Sequence, residues 1–122
     1  MAKRSAVVFG ATGLVGESLV KQLCEQEKYI SVTAIGRNPL TFKHEKLEQI
    51  IHSLDDLTES DIQFAHDVFC CLGTTMKKAG SKEQFEKVDF EYPMSIASLA
   101  KNQHVEHFIV ISAIGASDKA RA

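Results

Sequence analysis

Val7-Val8-Phe9-Gly10-Ala11-Thr12-Gly13-Leu14-Val15-Gly16 runs from an apolar stretch into three glycines spaced three apart. With Ala6 in front, four apolar residues follow one another without alternation, the pattern of a parallel strand covered on both faces. Beyond the turn, Val15, Leu19 and Leu23 recur every four residues with Val20 beside them, and Lys21, Gln22 and Glu25 fall outside. That spacing predicts an amphipathic helix from residue 14 to about residue 26, with Val15 on its inner face. The chain must therefore leave a buried strand and enter a helix within a few residues, and each glycine has a use. Gly10 permits the sharp turn, Gly13 lets a pyrophosphate approach the backbone without a Cβ in the way, and Gly16 lets the helix pack close on the strand. Backbone N–H groups at Leu14 and Val15, with the helix dipole, favour an anion. Gly10, Thr12, Gly13, Leu14, Val15 and Gly16 are thus candidate cofactor-binding residues; the alternative is a glycine turn with no ligand.

Working outward, apolar runs of four or five residues alternate with segments of helical spacing, the grammar of βαβ units. Val32-Thr33-Ala34-Ile35 reads as a second strand, closed by Gly36-Arg37-Asn38-Pro39. Residues 47–52 form a weaker strand candidate, and residues 54–61 a loop turning into a short helix. Residues 67–72 read as a fourth strand ended by Gly73-Thr74-Thr75, and residues 82–88 as a short helix. Pro93 fits the first turn of a longer helix with Ile96, Leu99 and Ala100 inward. Residues 107–112 are a fifth strand, Tyr29 falls in the loop after the first helix, and Tyr92 opens the helix before the fifth strand. Residues 1–122 then make one domain of the α/β class, a Rossmann-like doubly wound parallel sheet of five strands in the order 3-2-1-4-5. The switch point lies between strands one and four, where the first glycine turn and residues 73–75 both fall.

Composition removes other classes. A formal net charge of -2, with basic and acidic residues interspersed, offers no positive block for nucleic acid or an anionic membrane surface. No apolar run approaches the roughly 20 residues of a membrane span, and the Lys3-Arg4 start lacks the apolar segment of a secretory signal, so a cytoplasmic location is expected by default. Three cysteines, two of them adjacent at Cys70-Cys71, suit neither a disulfide framework nor a zinc site. His104 and His107 have no third ligand nearby, and no metal is expected.

The end of the second strand bears on the choice of cofactor. NAD sites normally place an acidic residue there for the ribose 2′-OH, whereas this chain has Gly36-Arg37. An arginine fork suits a 2′-phosphate, which favours NADP(H) with NAD(H) as second choice; the alternative is a solvated arginine. Asp55 or Asp56, after the third strand, is a candidate for the adenine amino group or else a loop cap.

The GATGLVG turn, VTAIGRNPLTF, FCCLGTT followed by KKAG, VDFEYP, and HFIVISAIGAS occur in an order and spacing that resemble an atypical short-chain dehydrogenase/reductase of the Tat-interacting-protein-like, NAD(P)-binding (NmrA/epimerase-like) group. The resemblance covers nearly the whole chain. It implies a Rossmann domain binding NADP(H), with Leu72, Gly73 and Thr74 beside the ribose and nicotinamide. It also implies that Ser112 is a candidate catalytic residue, donating a hydrogen bond to a substrate carbonyl; the alternative is a strand-end serine satisfying nearby backbone. The family's Tyr-x-x-x-Lys pair, which would follow on a further helix, is not found in residues 113–122. The chain is therefore expected to be the amino-terminal part of a longer domain, incomplete at its carboxyl end and catalytically incomplete alone. An uncovered fifth strand predicts association, as a homodimer or aggregate, around residues 108–111. Two functions follow as expectations: an oxidoreductase part moving hydride between NADP(H) and an unidentified small molecule, or a dinucleotide-sensing module contacting a protein partner, with Lys77-Lys78 as one contact.

Overall fold

Strand β1 (Arg4–Phe9) has its unbroken apolar run buried on both faces, and the structure, a computed structural model, builds two cores around it. Residues 4–11, 14–36, 39–51, 53–62, 65–71 and 91–111 are described. Ala6 and Val8 meet Val20, Leu23 and Cys24 of helix α1 (Leu14–Glu25), together with Val32 and Ala34 of β2 (Tyr29–Gly36). Val7 and Phe9 point the other way, into Ile35, Ile62, Val68, Cys70, Ile96 and Ala100. Ile96 and Ala100 belong to α2 (Tyr92–Asn102), which carries Pro93 in its first turn, and Leu99 packs partly buried on the same cluster.

With β3 (Leu47–Ile51), β4 (Asp67–Cys70) and β5 (His107–Val110), the strands form one sheet in the order β3-β2-β1-β4-β5, every pairing parallel. This is the predicted Rossmann-like order. Backbone pairing outlasts the short strands, since the Cys71 N–H reaches the Phe9 carbonyl at 2.9 Å and the Ile111 N–H reaches the Cys70 carbonyl at 2.8 Å. Residues 54–61 form two 3-10 turns, Leu54–Asp56 and Glu59–Asp61, the second opened by a capping box between Thr58 and Asp61. The expected helix over residues 82–88 lies outside the described residues.

Two expectations need correction. Val15 is 43% exposed, and the inner face of α1 runs through Gly16, Val20, Leu23 and Cys24. Gly16 packs α1 against the backbone of the β1 turn, and the buried stripe sits one residue away from the apolar spacing. Tyr29 is the first residue of β2 rather than a loop residue, because only residues 26–28 separate α1 from the strand.

The amino ends of the strands are tied by one buried acid. Asp67, 4% exposed, accepts from Arg4 Nε at 3.0 Å, from Arg4 Nη2 at 2.6 Å and from the Tyr29 hydroxyl at 2.5 Å. His107 Nδ1 lies 2.8 Å from Oδ1, so that nitrogen carries the proton, and Arg4 Nη2 also meets Glu106 at 2.9 Å. Burial acts to raise the Asp67 carboxyl, but the hydrogen bonds from Arg4, Tyr29 and His107 outweigh it and hold the group well below the usual carboxylate range. Burial, then the neighbouring carboxylate, pushes the Tyr29 hydroxyl up to about 12.

Candidate functional site

At the opposite, carboxyl edge of the sheet, β1 ends in Gly10 with φ of 80°, a left-handed backbone conformation that side chains resist. Ala11 is buried directly behind it, and α1 begins at Leu14. A Cβ on Gly16 would collide with the Gly10 carbonyl oxygen and stand 2.7 Å from Ala11 Cα, both backbone atoms that cannot swing aside. The absence of a side chain at Gly16 is thus what lets α1 start so close to the end of β1. Its amino terminus follows the carboxyl end of β1, beside the switch point of the strand order between β1 and β4. A helix start there presents N–H groups and a positive dipole end, which suit an anion.

Among the predicted residues, Gly10, Leu14, Val15 and Gly16 come together in this one turn. Val15 faces outward and, with Ser18, Leu19, Gln22 and Ile111, lines a shallow groove of about 360 Å³ beside α1. Asp55 lies in the 3-10 turn after β3, beyond the carboxyl end of that strand. It is exposed, its N–H donates to Ser53 Oγ at 3.1 Å, and its Oδ1 accepts from the Tyr92 hydroxyl at 3.1 Å. That tyrosine partner escaped sequence reasoning, although its place at the start of α2 was visible. Thr12, Gly13, Arg37, Leu72, Gly73, Thr74 and Ser112 lie outside the described residues. Arg37, Leu72 and Ser112 each follow directly on a described residue at a strand end, Gly36, Cys71 and Ile111. A Cβ on Gly36 would meet nothing within 4 Å, so the end of β2 opens onto space.

Cys71, just past β4, is a poor nucleophile. Burial, then the adjacent Cys70, pushes its thiol up to about 11, so it stays protonated and packs against the α1 core.

A sequence profile of the family described as NAD(P)H-binding matches residues 10–122. The protein HTATIP2 of Rattus norvegicus is 38% identical over 122 residues, covering 95% of this chain and 50% of the relative. The protein FMP52, mitochondrial, of Eremothecium gossypii is 34% identical over 118 residues, covering 96% of this chain and 53% of the relative. The chain thus spans about half the length of these curated relatives. Among solved structures, MoeE5 in complex with UDP-glucuronic acid and NAD superimposes with a TM-score of 0.76 at 20% identity, over 87% of this chain and 36% of that one. Uronate dehydrogenase from Agrobacterium tumefaciens does so with a TM-score of 0.75 at 17% identity, over 92% and 41%. At these identities the likeness establishes the fold alone.

The relatives also overturn the cytoplasmic expectation, since several FMP52 proteins are named mitochondrial. That expectation rested on missing secretory and membrane signals, and organelle addresses are read by receptors rather than by hydrophobicity. No helix among the described residues is long and apolar enough to cross a membrane. With the profile matching most of the chain and the relatives aligning along nearly all of it, the chain belongs to the NAD(P)H-binding family.

Proposed function

We propose that this chain is the cofactor-binding half of an atypical short-chain dehydrogenase/reductase, and that it takes NADP(H) in preference to NAD(H). The observation that carries this reading is the turn at the β1 end. Gly10 adopts a left-handed backbone conformation that favours glycine, Gly16 lets α1 start directly against the turn where a Cβ would clash, and α1 follows the carboxyl end of β1, beside the switch point of the sheet. These features fit a pyrophosphate, with Gly10, Thr12, Gly13, Leu14, Val15 and Gly16 holding it by backbone N–H groups. Arg37 pairs with the 2′-phosphate beyond the open end of β2, Asp55 meets the adenine, and Leu72, Gly73 and Thr74 line the ribose and nicotinamide side. Ser112, just past β5, hydrogen-bonds a substrate carbonyl and orients it. When bound, the nicotinamide supplies a hydride donor or acceptor.

Replacing Arg37 by Ala tests the cofactor choice by nucleotide titration. The affinity for NADPH should fall by about tenfold or more, the scale of a bidentate phosphate contact, with NADH little changed. Equal losses for both nucleotides would remove the 2′-phosphate assignment.

The open side of β5 favours self-association. Among the described residues this strand pairs with β4 only, and Ile109 and Val110 are 38% and 52% exposed. Light scattering should report a dimer that I109K and V110K together dissolve. A monomer across a wide concentration range would refute it.

A further inference from the structure

The hydrogen bond between Tyr92 and Asp55 joins two elements that the chain separates by 37 positions. Asp55 follows the carboxyl end of β3, while Tyr92 is the first residue of α2, the helix that returns toward the amino edge to feed β5. Their contact therefore lies at the carboxyl edge of the sheet, the edge that also carries Gly10 and the start of α1. An exposed carboxylate on a short turn samples several rotamers. Here the Ser53 hydroxyl accepts from the Asp55 N–H at 3.1 Å and fixes the turn, and the Tyr92 hydroxyl donates to Oδ1 and fixes the side chain. Tyr92 is itself well held: its ring is half-buried, and Pro93 locks the next backbone position at the helix start.

We propose that Tyr92 is a positioning residue that holds the Asp55 carboxylate toward the amino group of the cofactor's adenine, so that the base is read as well as the pyrophosphate. This rests on the cofactor reading given above. The chemistry is one of donors and acceptors: a carboxylate only accepts, the adenine amino group only donates, and hypoxanthine carries a carbonyl oxygen at that position. A carboxylate kept in place should therefore welcome adenine and reject hypoxanthine.

The test titrates the full chain with NADPH and with its hypoxanthine counterpart, and repeats the pair without the 2′-phosphate. The wild type should prefer adenine by about tenfold or more, the scale of one hydrogen bond to a charged group. Asp55→Ala should abolish the preference. Tyr92→Phe should reduce it by about threefold, through weaker adenine binding with hypoxanthine binding unchanged, and should change nothing further in the Asp55→Ala background. If Tyr92→Phe lowers only thermal stability, or weakens both nucleotides equally, the contact is a structural tie and the proposal fails while the cofactor reading stands. The same holds if Asp55→Ala leaves the preference intact. If the wild type binds none of the four nucleotides, the cofactor reading fails and takes the proposal with it.

Discussion

The two ends of the same sheet handle polar chemistry in opposite ways. At the amino ends of β1, β2, β4 and β5, charged and polar groups turn on one another: Arg4, Tyr29 and His107 converge on a single buried carboxylate. At the carboxyl end of β1 the backbone is cleared of side chains, by Gly10 in a left-handed conformation and by Gly16 against the turn. The first arrangement closes strands together, and the second lets a helix start directly against a strand end. The strongly displaced titration of Asp67 belongs to the closed end, where an internally satisfied acid explains it. Perturbed ionisation is common at active sites, but ion-pair networks produce it as well. In this molecule strand order and glycine geometry single out the carboxyl end of the sheet, and the displaced carboxyl lies at the other.

The comparison breaks most visibly at Gly16. Gly16→Val should cost at least about 3 kcal/mol and abolish nucleotide binding, because the added atoms meet backbone at Gly10 and Ala11 and α1 must back away from β1. Denaturant unfolding with nucleotide titration reads both losses, and a variant that folds and binds as before would show that the close approach is not needed. At the other end, Asp67→Ala should cost about 2–3 kcal/mol, since it strands the donors of Arg4 and Tyr29, with solvent reaching Arg4 and His107 and easing the loss. Nucleotide affinity of the folded variant should stay unchanged, which separates the two ends.

The smallest effect is in the pH dependence of that network. Asp67 is depressed in the folded state, so its contribution is full above its unfolded value, about 4, and is lost as pH falls through the lower folded value. Tyr29 is raised, to about 12, so its contribution holds below its unfolded value, about 10, and is lost as pH climbs between the two. Urea midpoints of the wild type should therefore approach those of Asp67→Ala in acid and those of Tyr29→Phe in strong base. A constant gap across either range would show that the hydrogen bonds to Asp67 do not set its ionisation.

Much of this was legible because local physics agreed with the fold. Ala6, Val7, Val8 and Phe9 are apolar without alternation because both faces of β1 are covered, and that run placed it at the centre of the sheet. Pro93 marked the start of α2, and the glycine spacing marked the β1 turn. Val15 misled because apolar spacing gives the period of a helix but not its rotation, which the contact at Gly16 decides. Asp67 looked like an unremarkable strand opening. Its partners at positions 4, 29 and 107 carry no shared pattern in the chain.

By itself, the sequence determined the order of elements, the parallel sheet and the glycine turn after β1, since each depends on residues close together whose period and backbone freedom can be read directly. Only the tertiary structure decided which face of α1 is buried, that Asp67 is a clamp across four strands, and that Tyr92 holds Asp55. Those are contacts between residues tens of positions apart, and they exist only once the sheet has brought the strand ends together.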